Sequence, residues 1–268
     1  MVSSSRGFLL ALVNRTDDLD LIHTRNSGFL GLAFPSLATP PRSEGTILDN
    51  IFSQLSGPNR FFAFKLGRYD SQTGISSSSS FTIGEFDPLI TNDATHMSWF
   101  PVFRAYGSPY DFWKLKIRGI TINSQPLPLS HSIVHGVNAP IGILDSGTTL
   151  ILGPRHDVGL FWNAVGTGNS VRYNQQSQAW QVRCNRAVDV RIKLGEMENA
   201  NDFALHPVDI AWGDSGEGWC LGGLQASDKV RMLLDARCCT YYLRQLKDGD
   251  WILGNVFLRV RLFRCSGP

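Results

Sequence analysis

One acid stands out by its surroundings. In the stretch IGILDSGTTLILGP, from Ile141 to Pro154, Asp145 lies between an apolar run and a Ser146-Gly147-Thr148 turn, and a second apolar run follows. A buried strand ahead of Asp145 would hold the side chain rigidly, and a sharp turn after it would present the carboxylate at the strand's end. Gly147 permits a close turn where a side chain would clash. Ser146 and Thr148 supply hydroxyls that can hydrogen-bond the carboxylate or a facing loop. Such an arrangement holds a carboxylate in a fixed orientation. A phosphate cradle would need more glycines and a lysine, and neither is present. Taken alone, apolar-Asp-Ser-Gly also describes an ordinary Asx-turn.

The elements around this acid are mostly strands. Short apolar or alternating runs recur at Phe61–Leu66, Phe81–Gly84, Trp99–Phe103, Trp113–Ile122, Ile141–Leu144, Ala179–Val182 and Trp251–Phe257, punctuated by Gly, Pro, Ser and Asn. Asn123-Ser124 reads as the turn of a hairpin. Helical spacing marks only Gly45–Leu55 and Pro154–Val165, the second with Pro at its first position. GFLGLAF (Gly28–Phe34) is weakly repeated as WILGNVF (Trp251–Phe257), which points to two related halves.

Composition bounds the function classes. With 268 residues, 43% apolar and 18% charged, the chain can bury a real core and is too apolar for disorder. The net charge is +2 and the Lys and Arg residues are scattered, so no basic stripe marks a nucleic-acid partner. No apolar run approaches the roughly 18 residues that cross a bilayer. The run Gly7–Val13 is followed by no small-x-small cleavage site and reads as a buried strand rather than a secretory leader. The five cysteines form no zinc pattern, and His131 and His135 lie in a loop, so no metal site is expected. Asn14-Arg15-Thr16 is the one glycosylation sequon, at Asn14.

Several segments in a fixed order resemble the pepsin-like aspartic endopeptidases: SGFLGLAFPSLA (Ser27–Ala38), SFTIGEFD (Ser80–Asp87), WFPV (Trp99–Val102), YDFWKLKIRGITIN (Tyr110–Asn123), ILDSGTTLILGP and WILGNVFLR. The resemblance runs from about Gly7 to Arg259. It implies an all-β acid-protease fold, largely one C-terminal lobe with a few short helices. Residues 1–44 would be a remnant of the first lobe and inter-lobe sheet, and residues 45–268 the second lobe. It further implies that Asp145 is a catalytic aspartate, that Ser146 grips the opposing loop and that Thr148 bonds the carboxylate. Ile252, Leu253 and Gly254 would pack beneath that loop, and Cys184 would pair with Cys220. The reaction implied is peptide hydrolysis by an aspartate-activated water, with no cofactor and no metal, on an extended peptide substrate. The location implied is extracellular or vacuolar.

That reaction needs two aspartates, and the sequence offers one in the right setting. Asp214-Ser215-Gly216 repeats the tripeptide, but its polar, glycine-rich flanks read as a surface turn. No counterpart of the family's substrate-covering flap is present. The chain therefore reads as a protease lacking most of its first lobe and inactive by itself, or alternatively as a non-catalytic relative that binds peptide or protein in a cleft. Val230–Leu246, with its Cys238-Cys239 pair, and the C-terminal segment Val260–Pro268 depart from the family pattern. They read as sequence foreign to the lobe.

Overall fold

The computed structural model describes residues 30–38, 45–68, 76–88, 97–226, 250–259 and 263–266. Gly7–Val13, Asn14, Cys238, Cys239 and Val230–Leu246 lie outside them. Among the described residues the fold is mostly β, with four short α-helices: α1 (Ile47–Ser53), α2 (Arg155–Val165), α3 (Pro207–Ile210) and α4 (Asn255–Leu258). No helix among them is long and apolar enough to cross a membrane.

Three sheets are formed among the described residues. The largest has the order β10 (Asn201–Leu205), β9 (Val190–Leu194), β3 (Lys114–Ile122), β5 (Ile141–Leu144), β14 (Trp251–Leu253), β6 (Ile151–Gly153) and β13 (Leu224–Ala226), with β4 (Gln125–Pro126) paired to β3. Strand β3 alternates buried and partly exposed residues, with Ile117, Ile120 and Ile122 inward, as a strand with one covered face must. It turns into β4 through Asn123 and Ser124, both at positive φ, the backbone that a tight two-residue hairpin demands. A four-stranded sheet runs β11 (Ala211–Asp214), β12 (Trp219–Gly222), β8 (Ala179–Arg183) and β7 (Val171–Asn174). Helix α2 fills the space beside these sheets: Val158, Phe161, Trp162 and Val165 are buried, and Trp162 Nε1 donates to Leu224 O at 2.9 Å. Gly222 makes room for that indole, since a Cβ there would sit 2.3 Å from the ring.

The third sheet, β15 (Phe263–Ser266), β1 (Phe61–Lys65) and β2 (Ser80–Ile83), is antiparallel throughout. The C-terminal departure from the family pattern thus does not leave the tail unpacked. Cys265 is buried opposite Phe62, and Arg264 lies 3.9 Å over the Phe61 ring. Burial pushes the Cys265 thiol up to about 12.

Two expected strands are corrected. Trp99–Phe103 forms no ladder: Pro101 has no N–H to give, and the segment is tied by one bond, Phe103 N to Lys114 O at 2.7 Å. Trp251–Phe257 is a strand only to Leu253. Gly254 then starts α4, and the backbone N–H groups that would have extended a ladder turn instead toward the loop after Asp145. Helix α1 is shorter than Gly45–Leu55 because Thr46 caps it: the Thr46 side chain accepts from Asp49 N while the Asp49 side chain accepts from Thr46 N. Pro154 is the N-cap of α2, not its first residue.

Candidate active site

Strand β5 delivers Asp145. Ile141, Gly142 and Ile143 are buried, and β5 is held on both sides: antiparallel to β3 and parallel to β14. The chain leaves β5, makes the loop from Asp145 to Leu150, and returns as β6 on the far side of β14. The distant strand β14 is thus inserted between the two arms of the acid loop. This is why a segment about a hundred residues away is needed to fix one side chain. Gly142 belongs to that packing, since a Cβ there would meet Leu253 Cδ1 at 2.9 Å. At the foot of β5, buried Asp250 accepts from Ile141 N at 3.3 Å.

The loop is sealed from beneath. Asp145 N donates to Leu253 O at 3.2 Å, Asn255 N to Thr148 O at 2.8 Å, and Val256 N to Thr149 O at 3.0 Å. Gly254 allows this contact: a Cβ on it would fall 2.4 Å from Thr148 O and 2.3 Å from Leu150 O. Above, Asp145 is half-buried, and Ser146 and Gly147 are exposed. Its two carboxylate oxygens have separate donors. Gly147 N gives to Oδ1 at 2.9 Å and Thr148 Oγ1 gives to Oδ2 at 2.5 Å. Gly147 lies close over the acid, so an added Cβ would stand 3.1 Å from Oδ1. The group is thus pinned at both oxygens with one edge toward solvent. Such a carboxylate is held in one orientation, with an edge free to meet a reacting group.

Asp145, Gly147, Thr148, Ile252, Leu253 and Gly254 come together in one unit. Ser146 projects outward from it. Sequence reading missed Asp250, Asn255 and Val256. The first has no following Ser/Thr-Gly, so the motif passes it over; the other two act through backbone N–H groups, which residue type does not announce. Cys184 and Cys220 form a disulfide between the ends of β8 and β12, with Cα atoms 5.0 Å apart. Asp214 sits elsewhere, at the exposed tip of the β11–β12 hairpin, where Oδ1 accepts from Gly216 N at 2.8 Å. Among the described residues no three His, Cys, Asp or Glu side chains cluster as metal ligands would.

The described residues 30–34 pack against the segment that leads into β3. Trp113 Nε1 donates to Leu32 O at 2.8 Å, Phe34 N donates to Asp111 O, and Phe34 stacks on Tyr110 and meets Trp113 at a tilt. Trp113 is therefore a packing residue. The described part of GFLGLAF has no acid loop around it, and Gly31 has nothing within 4 Å of where a Cβ would be. The two copies of the weak repeat thus differ in local structure.

Known proteins are similar to this chain in sequence over most of its length. A family model described as eukaryotic aspartyl protease matches residues 4–263. Chymosin of Camelus dromedarius is 26% identical over 232 residues, covering 87% of this chain and 48% of the relative. Pepsin A-5 of Mus musculus is 28% identical over 240 residues, covering 87% of this chain and 49% of the relative. Cathepsin E of Mus musculus is 26% identical over 240 residues, covering 89% and 50%. The chain spans about half the length of the curated relatives it matches. An acid loop wrapped around a Trp-Ile-Leu-Gly strand, together with a family match over nearly all its residues, places this chain in the eukaryotic aspartyl protease family.

Proposed function

We propose that this chain is the second-lobe half of an aspartic endopeptidase and that Asp145 is one of its two catalytic carboxylates. The observation that carries the reading is the pinned carboxylate: Gly147 N on one oxygen and Thr148 Oγ1 on the other, at the end of a strand gripped by β14. In this reading a second aspartate, supplied from outside the 268 residues, stands beside Asp145. Two carboxylates that close share one proton. The ionised one takes a proton from a water as it attacks the peptide carbonyl, while the other gives its proton to the carbonyl oxygen. The tetrahedral intermediate then collapses, the C–N bond breaks and the amine leaves with a proton. No covalent enzyme intermediate and no metal enters. The substrate is a peptide or protein segment in extended conformation between two lobes. Residues 1–44 belong to the first lobe and the connection, residues 45–268 to the second. A disulfide fits an oxidising, extracellular or vacuolar setting.

The experiment assays the purified chain on an unfolded protein substrate at about pH 4, alone and mixed with a separately produced first lobe of a relative. Alone, it should cleave nothing appreciable. With the lobe, cleavage should appear, vanish on Asp145→Ala and ignore metal chelators. Cleavage by the chain alone that is lost on Asp145→Ala would place the partner carboxylate inside this sequence, with Asp214 the first residue to test. The single aspartate in a suitable setting also favours a second reading, a non-catalytic binder of peptide or protein. Tight peptide binding without cleavage in the reconstituted pair would select it.

A further inference from the structure

The four-stranded sheet has one face in the core and one face out. Register puts Val171 opposite Val182 and Tyr173 opposite Trp180, and Trp180 continues inward onto Trp162. Directly opposed residues share a face, and alternate residues along a strand do too. Arg172 lies opposite Gln181, and Arg183 lies opposite Trp219, so these four occupy the outer face. There the two arginines converge. The Arg172 guanidinium carbon is 4.2 Å and that of Arg183 4.0 Å from the centre of the Trp219 ring. Two like charges are thus gathered around one indole.

Among the described residues no carboxylate lies within ion-pair distance of either arginine, nor of Arg186 just beyond them. What holds them is neutral. Arg172 Nε donates to Gln181 Oε1 at 2.8 Å; Arg183 donates through Nε to Asn169 O at 3.1 Å and through Nη1 to Glu217 O at 2.9 Å; Arg186 Nη2 donates to Val165 O at 3.1 Å. The terminal nitrogens of Arg172 and Nη2 of Arg183 have no hydrogen-bond acceptor among the described residues. Asp214 and Glu217 are exposed on the adjoining β11–β12 hairpin, where Asp214 Oδ1 accepts from Gly216 N. The cations are aimed by a ring, a buried Gln181 and a disulfide-tied sheet, and among the described residues no carboxylate answers their charge.

We propose that this face binds the sulfate groups of an acidic polysaccharide. The terminal nitrogens of Arg172 and Nη2 of Arg183, brought to one indole from different strands, call for an oxyanion with acceptors on more than one side. A tetrahedral sulfate supplies that, whereas a carboxylate is satisfied by a single fork. Arg172 and Arg183 are partly exposed on this face, where a polymer chain can reach them. Trp219 is only 6% exposed beneath the arginines, so it has no ring free to enter a lipid layer. A disulfide fits an oxidising compartment, where sulfated glycans are available polyanions. The inference is independent of the proteolytic reading.

The test is salt elution of the full chain from immobilised heparin, with competition by polygalacturonate, phosphatidylserine vesicles and duplex DNA. The chain should be retained, with sulfated glycan the best competitor. Arg172→Gln should weaken binding by about tenfold, the loss of one charge-assisted contact. Arg172→Lys, which keeps the charge and loses the fork, should fall between. Glu217→Gln should raise the elution salt, an opposite shift that misfolding cannot mimic. Intact Cys184–Cys220 in non-reducing peptide maps checks the fold of each variant. No retention, or equal elution of the wild type and Arg172→Gln, overturns the proposal. Stronger competition by vesicles or DNA than by sulfated glycan overturns the choice of ligand and with it the proposal.

Discussion

At the scale of single residues, two aspartates with the same tripeptide separate cleanly. Asp145 and Asp214 each accept from the N–H two residues on, at 2.9 and 2.8 Å. That bond is the local chemistry of Asp-Ser-Gly and distinguishes nothing. What differs is Thr148, whose hydroxyl holds the second oxygen of Asp145. Thr148→Val should therefore lower kcat of a reconstituted two-lobe enzyme by about tenfold or more, with KM little changed, because it frees the carboxylate without touching a binding pocket. Kinetics on one peptide substrate would check this. A second residue, Asp209, is 1% exposed and carries the lobe's buried charge cluster. Arg68 reaches it at 2.6 Å and Arg259 at 3.5 Å, and Arg259 also lies over Trp212. Arg68 follows β1 and Arg259 follows α4, so the acid ties the three-stranded sheet to the element beneath the active loop. Asp209→Asn leaves two arginines uncompensated and should cost about 3–5 kcal/mol in urea unfolding.

At the scale of elements, the acid loop depends on a glycine that carries no chemistry. Gly254→Ala would drive a methyl group into two carbonyl oxygens of the loop. Neither can withdraw, because each belongs to backbone already bonded or packed beneath β5 and β6. A loss of about 3 kcal/mol or more is expected, together with loss of the Asn255–Thr148 bond, readable as faster amide exchange at Asn255. The strand pair β3–β9 supplies a pH-dependent element. Lys116 and Arg118 on β3 both reach Glu196, in the turn after β9, at 2.9 and 2.8 Å. The hydrogen bond from Lys116, with the charges of both cations, holds the Glu196 carboxyl below its ordinary value, and partial burial opposes it. The sign follows: the stabilisation is present above the unfolded carboxylate value of about 4.3 and is lost as the pH falls through the lower folded value. Because Glu196 is well exposed, the contribution is no more than about 1 kcal/mol. Glu196→Gln should flatten that part of the acid-side stability curve, and identical curves for the two proteins would refute it.

At the scale of the molecule, one covalent tie spans the four-stranded sheet. The Cys184–Cys220 bond closes a separation of 36 residues, for which chain entropy gives roughly 3–4 kcal/mol. Cys184→Ser with Cys220→Ser should lower the urea midpoint accordingly, with the slope showing whether the unfolded chain also expands. The same double variant should leave the Asp145 loop intact, since none of its hydrogen bonds involves β8 or β12.

Much of this was legible in the residues. The strand periodicity, the helix at Arg155–Val165, the acid between two apolar runs and the disulfide partners all follow from local pattern and family order. Trp99–Phe103 and the second half of Trp251–Phe257 misled, for one reason: an apolar run records burial and not which partner its N–H groups find. Asp209 and Asp250 were invisible because a charged residue far from any motif gains its meaning only from what packs on it. The sequence by itself determined that a carboxylate stands at a strand-to-turn junction. Only the tertiary structure decided that Asp145 and not Asp214 is gripped at both oxygens and from below. That grip is made by a strand and a helix start about a hundred residues away, and hydrogen bonds between such segments exist only once the chain has folded around β14.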